Sequence, residues 1–160
     1  MLRLTRSVCI DADAASVWAV LSDLESIPLW VPSIRRAHCP AQARGVGAMR
    51  VCELPRATIR ETIVDWDEGR SFTYRGEGAP LMKSATNTWT VEARGAETLV
   101  TSSAAVVVKG GVLGRLLEPA LRPMFERLGT RSLASLKYLV ERGHPYRGVA
   151  RELPPPPASC

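Results

Sequence analysis

Histidine is nearly missing from this chain: only His38 and His144 occur. The four cysteines, Cys9, Cys39, Cys52 and Cys160, form no CxxC pair. A zinc cluster needs several nitrogen or sulfur ligands at short spacing, so no metal and no other cofactor is expected. Two histidines also leave little material for a Ser-His-Asp arrangement. Aromatic residues are only 6% of the chain and do not interleave with basic ones, which argues against nucleic acid as a partner. GVG at 45–47 and KGGVLG at 109–114 lack the full glycine pattern and the Lys-Ser/Thr ending of a phosphate loop. No apolar run approaches the length of a membrane span. The opening MLRLTRSVCIDAD is cut by Arg3 and Arg6, which leaves no apolar core for a signal peptide. The expectation is a cytoplasmic protein.

What is present is an ordinary globular composition, 46% hydrophobic and 23% charged. At 160 residues the chain fits one domain that buries roughly two-thirds of its unfolded surface. Cys9, Cys39 and Cys52 read as buried thiols, and Cys160 as an exposed one in a tail. The net charge of +5 is unevenly placed. Basic and acidic residues cancel over 1–108. Beyond that, Lys109, Arg115, Arg122, Arg127, Arg131, Lys137, Arg142, Arg147 and Arg151 face only Glu118, Glu126 and Glu141 as far as residue 151. Such a basic helix is either a solvated face or a surface for an anionic membrane.

Residues 2–10 alternate as a strand, with Leu2, Leu4, Val8 and Ile10 in register. Asp13 can cap a helix on which Val17, Val20, Leu21 and Leu24 form one buried stripe. Pro28 and Pro32 allow only a short turn or helix around Trp30. Strands are predicted at 34–39, 47–54, 57–66, 70–75, 84–94 and 97–109, joined by turns too short for parallel crossovers. A two-residue turn at Glu68-Gly69 would pair Asp65 with Phe72 and Ile63 with Tyr74. Ile59, Glu61, Ile63, Phe72 and Tyr74 then share the inward face. Asn87, Trp89 and Val91 form a second inward row, and Val100 to Val108 a third. A C-terminal helix follows, with a second start or a kink expected at Pro123 and an end at Gly143. Residues 144–160, with Pro154 to Pro157, read as an extended Pro-rich tail.

This order of elements resembles the START-like or SRPBCC superfamily, in particular its polyketide cyclase/dehydrase and lipid-transport branch. The likeness rests on VWAVLSDLESIPLWVP at 17–32, GVGAMR at 45–50 and IVDWDEGRSFTYR at 63–75. NTWTVEARGAETLVT at 87–101 and SLASLKYLVERG at 132–143 complete it. Trp30 matches the branch's aromatic after the first helix, and Trp89 its aromatic on the sixth strand. The resemblance implies an α+β helix-grip domain over 1–143: two short helices after the first strand, then a curved seven-stranded antiparallel sheet around the long C-terminal helix. It also implies a cavity for a small hydrophobic molecule of lipid, polyketide or quinone type. The branch contains both carriers and enzymes and has no shared catalytic motif.

A cavity of this kind needs apolar walls and a few orienting polar groups. The expected ligand-binding residues are Trp30, Met49, Val51, Ile63, Phe72, Tyr74, Asn87, Trp89, Leu121, Met124 and Leu128. Gly129 and Ser132 are small enough to leave volume unfilled. Entry would require the loops near Trp30 and Ala79-Pro80 to part. Glu61 is the candidate acid or base, because its register puts a carboxylate between Ile59 and Ile63 on an apolar face. Its alternative role is a structural carboxylate paired with an arginine. Carrier and cyclase-like enzyme both remain open on these residues, and the oligomeric state leaves no signature.

Overall fold

The computed structural model describes residues 1–160. Strand β1 (Leu2–Ile10) leads into helix α1 (Ala14–Ser22), then a 3-10 helix over Leu24–Leu29. Strands β2 (Arg36–His38), β3 (Met49–Leu54), β4 (Ala57–Asp67), β5 (Ser71–Glu77), β6 (Met82–Arg94) and β7 (Glu97–Val108) follow. Helix α2 (Gly111–Arg142) closes the fold. The seven strands form one antiparallel sheet in the order β1-β7-β6-β5-β4-β3-β2. The expected helix-grip architecture is the observed one.

The cap on α1 forms as predicted: Asp13 Oδ1 accepts from the Ser16 backbone N–H at 2.8 Å. The helix lays Val17, Trp18 and Leu21 onto the sheet, where they join Ile63, Phe72, Val91 and Val100 in one core. Trp18 meets Trp66 and Phe72 edge-on at 5.4 and 6.0 Å. Its indole N–H and that of Trp66 both donate to the Glu68 carboxylate, at 2.8 and 2.9 Å. Arg44 completes that clamp, and the hydrogen bonds, led by Arg44, hold the Glu68 carboxyl down to about 2.

The β4–β5 hairpin differs from expectation in an instructive way. Its loop is one residue longer than the two-residue turn: Asp67 pairs with Ser71, Trp66 with Phe72 and Asp65 with Thr73. A β-bulge at Val64 then absorbs one residue, so Ile63 still faces Tyr74. The inward row beyond the bulge is therefore the predicted one.

Helix α2 runs unbroken through Pro119 and Pro123, so neither proline starts a second helix. Each removes a bond to an exposed carbonyl four residues back, where water can satisfy it. Gly114 is required at the start: a Cβ there would lie 2.3 Å from the Lys109 carbonyl oxygen. The C-terminal half buries Leu133, Leu136 and Leu139, and Gly143 ends the helix in the left-handed region, its N–H bonded to the Leu139 carbonyl.

The tail does not hang free. Cys160 is joined to Cys9 by a disulfide, with Cα atoms 5.1 Å apart, so neither is the free thiol expected from the sequence. The Pro157 carbonyl accepts the Cys9 N–H at 2.7 Å. β1 is an edge strand, and the tail covers its free edge with residues that cannot extend the sheet. Spacing could not show this pairing, because the two cysteines are 151 residues apart. Only Cys39 and Cys52 remain as thiols, and burial first, then the Glu61 charge, pushes Cys52 up to about 12. Oxidised native protein should therefore show one accessible thiol by Ellman titration and two after denaturation. Four after denaturation would remove the Cys9–Cys160 bond.

Candidate functional site

Between the concave sheet and α2 lies a cavity of about 310 Å³, and seventeen of its 25 lining residues are hydrophobic. The sheet places its walls by alternation: Ile59 and Glu61 on β4, Tyr74 on β5, Asn87 and Trp89 on β6, Ser102 and Ala104 on β7. Helix α2 supplies Phe125, Leu128, Gly129 and Ser132 as the opposite wall. Trp30 closes one end, set by the 3-10 helix before it, and packs edge-on to Trp89 at 5.3 Å. Ala79 and Met82 belong to the same lining, so the loop near Ala79-Pro80 does border the cavity.

Six of the expected residues are here: Trp30, Glu61, Tyr74, Asn87, Trp89 and Leu128. Six are elsewhere. On β3 it is Arg50 and Cys52 that face inward, so Met49 and Val51, paired with Thr62 and Arg60, lie on the outer face. Ile63 and Phe72 face inward but are packed solid beneath α1. Leu121 and Met124 sit on the outer half of α2, outside the lining, with Met124 49% exposed. His38 is exposed on β2. Leu4, Arg6, Ile27 and Val106 line the cavity without having been singled out. The alternation of β1 was the available signal for Leu4 and Arg6.

Glu61 is not alone. Arg50, only 1% exposed, donates to Glu61 Oε2 from Nε at 2.7 Å and holds it with Nη2 at 2.6 Å. Cys52 Sγ lies 3.6 Å from the same oxygen. The guanidinium also donates to the Leu24 carbonyl at 3.1 Å and lies 5.5 Å from the Tyr74 ring centre. Burial pulls the Arg50 guanidinium down, but the Glu61 charge, the Cys52 and Tyr74 groups and the hydrogen bond to Glu61 together outweigh it and hold it above its ordinary value. The arginine-paired arrangement is the one present, and Oε2 is fully engaged. Glu61 Oε1 accepts no hydrogen bond.

A polar chain crosses the sheet beside this pair. Ser102 Oγ donates to Asn87 Oδ1 at 3.0 Å, and Asn87 Nδ2 donates to the Tyr74 hydroxyl oxygen at 3.3 Å. That direction leaves the Tyr74 proton free to donate. Burial, then the Glu61 charge, raises the Tyr74 phenol above its ordinary value, so it is a neutral donor. The Trp30 indole N–H is buried and has no partner at all. The cavity can thus offer the Tyr74 O–H as a neutral donor against otherwise greasy walls, with the Trp30 N–H shut inside its end wall.

A curved antiparallel sheet gripping a terminal helix over an apolar hollow defines a START-like, helix-grip domain. The chain belongs to the family described as polyketide cyclase / dehydrase and lipid transport, which matches residues 1–141. It is similar in structure to the Zhui aromatase/cyclase from Streptomyces sp. R1128, with a TM-score of 0.76 and 18% identity over 88% of this chain and 94% of that one. A START superfamily protein from Mycobacterium smegmatis gives 0.70 and 18%, over 88% and 97%. A protein from Thermobifida fusca gives 0.68 and 24%, over 93% and 100%. At these identities the likeness is one of fold. No curated protein matches the chain.

Breaking a buried pair strands a charge, whereas replacing both partners does not. Arg50→Met or Glu61→Leu alone should each lower urea-denaturation stability by about 3–5 kcal/mol. Arg50→Met combined with Glu61→Leu should recover most of that loss; losses that simply add would contradict the pairing.

Proposed function

We propose that this protein binds and carries a small hydrophobic molecule of lipid, polyketide or quinone type, held by Trp30, Tyr74, Asn87, Trp89 and Leu128. The observation that carries this reading is an apolar cavity whose wall contains an unpartnered indole N–H and a phenol with its proton to spare. Both want an acceptor oxygen, and a carbonyl on an otherwise apolar body provides one. A role for Glu61 in moving protons is less well supported, because Oε2 is already held by Arg50 and Cys52. The rival, a cyclase-like enzyme, rests on the family alone. A cytoplasmic setting belongs to the same proposal, and there the Cys9–Cys160 bond would be kept reduced.

A plain neutral ketone, 2-decanone, is a suitable probe. It should quench tryptophan emission saturably, one molecule per chain. Trp30→Phe, which removes only the N–H and part of the ring, should weaken it about five- to tenfold. Mass spectrometry under native conditions should also find a hydrophobic guest after mild extraction. No saturable ketone binding together with no guest would end the carrier reading.

A second observation bears on where the cargo goes. Leu113, Leu117, Met124 and Leu128 recur at helical spacing along α2 and are 72%, 53%, 49% and 38% exposed. Leu128 also lines the cavity, so the stripe ends at the guest. Exposed Arg127 and Arg131 lie on the same side of the helix as this stripe, whereas Arg115 and Arg122 lie across it. An apolar stripe bordered by cations fits an anionic lipid surface. Co-sedimentation should occur with phosphatidylserine vesicles, weaken with salt, and be lost in Leu113→Glu/Leu117→Glu. Binding indifferent to salt and to lipid charge would refute the surface, as would a dimer that the same substitutions dissolve.

A further inference from the structure

Only two buried side-chain polar atoms in the whole chain lack a hydrogen-bond partner: Trp30 Nε1 and Arg6 Nε. Both residues belong to the wall of the same cavity. A folded protein rarely leaves such a donor unmatched, and each instance calls for a physical reason. Trp30 offers a neutral donor. Arg6 is different, because it brings a permanent charge.

Arg6 stands on the inward face of β1, opposite Ser102 of β7. Its side chain passes beneath α2 at Gly129, where an added Cβ would lie 3.3 Å from Arg6 Cδ. The small residue read as unfilled volume is thus the gap through which this guanidinium runs. Its acidic neighbour is Glu126, whose Oε2 lies 3.6 Å from Nη2. Glu126 is already shared, since its Oε1 accepts from Arg122 at 3.1 Å. The remaining charges around that seam are basic: Arg127, Arg131 and Arg151 line the open groove of about 470 Å³ that Arg6 also borders, beneath the tail. The other charges lining the cavity reduce to Glu61, and that one is paired with Arg50. Arg6, held only by a shared carboxylate at 3.6 Å, is therefore the more weakly paired of the two charges on the wall.

We infer that the carried molecule has an acidic group, a carboxylate, seated on Arg6, with its apolar body running along the cavity toward Trp30. This rests on the carrier reading and deepens it: the guest is an amphiphilic acid rather than a neutral lipid. A carboxylate there would pair with the guanidinium head, whose Nη2 stands at a long 3.6 Å from Glu126, and balance the basic seam.

The test compares decanoate with 2-decanone at pH 8, on wild type and on Arg6→Met, which keeps the aliphatic stem. Wild type should bind decanoate at least about tenfold more tightly than 2-decanone. Arg6→Met should abolish that preference, lowering the affinity for decanoate about tenfold more than that for the ketone. Saturable ketone binding with no preference for the acid would overturn the role of Arg6 and leave the carrier reading intact. A preference that survives in Arg6→Met would also overturn it. Binding of neither probe would bring down the cavity reading and this inference together.

Discussion

The arrangement around the cavity depends on one buried ion pair. Arg50 and Glu61 sit almost wholly out of water on adjacent strands β3 and β4. Taking either charge from water costs several kcal/mol, so neither side chain can be there without the other. Their geometry does more than cancel charge. The third arm of the guanidinium reaches the Leu24 carbonyl, at the first residue of the 3-10 helix, and its face lies over Tyr74 on β5. One cation therefore ties β3, β4, β5 and the segment that ends in Trp30. The aromatic end wall stands where it does because the helix before it is anchored to a charge that cannot leave.

From that anchor a graded interior follows. On the α1 side, Trp18, Phe72, Ile63 and Val100 fill the space completely. On the α2 side, the same sheet face carries Ser102 and Ala104 opposite Gly129 and Ser132, and side chains this small do not meet. The polar chain Ser102–Asn87–Tyr74 runs along the border between the filled and hollow halves. Its members satisfy one another in sequence and leave one proton over. The sheet is thus both a core and a receptor, and the switch between them is made by side-chain size.

Much of this was legible in the chain. Alternation placed Glu61, Tyr74, Asn87 and Trp89 inward, because a strand has only two faces and the apolar ones mark the buried side. Even the hairpin error was harmless: one extra loop residue and one bulge at Val64 cancel before Ile63. Where reading failed, a single-strand rule was outweighed by something distant. On β3 the apolar Met49 and Val51 looked inward and the charged Arg50 outward, yet the strand turns the other way because Glu61 waits across the ladder. Leu121 and Met124 share a helical stripe with residues that do face the cavity, but the spacing says nothing of how far α2 overhangs the sheet. The Cys9–Cys160 bond joins the two ends of the chain, and no local pattern encodes a contact at that separation.

The two unpartnered donors place a constraint on the fold as well as on its guest. An unmatched buried N–H costs about 1–3 kcal/mol, more when the group is charged. Apolar substitutes would serve the packing: a phenylalanine at position 30 or a methionine at position 6 would remove the orphan and fill much the same space. A group that matched the two donors would bind the folded chain and not the unfolded one, and would raise its stability accordingly. An apolar guest without oxygen would fill the volume and leave both donors as they are.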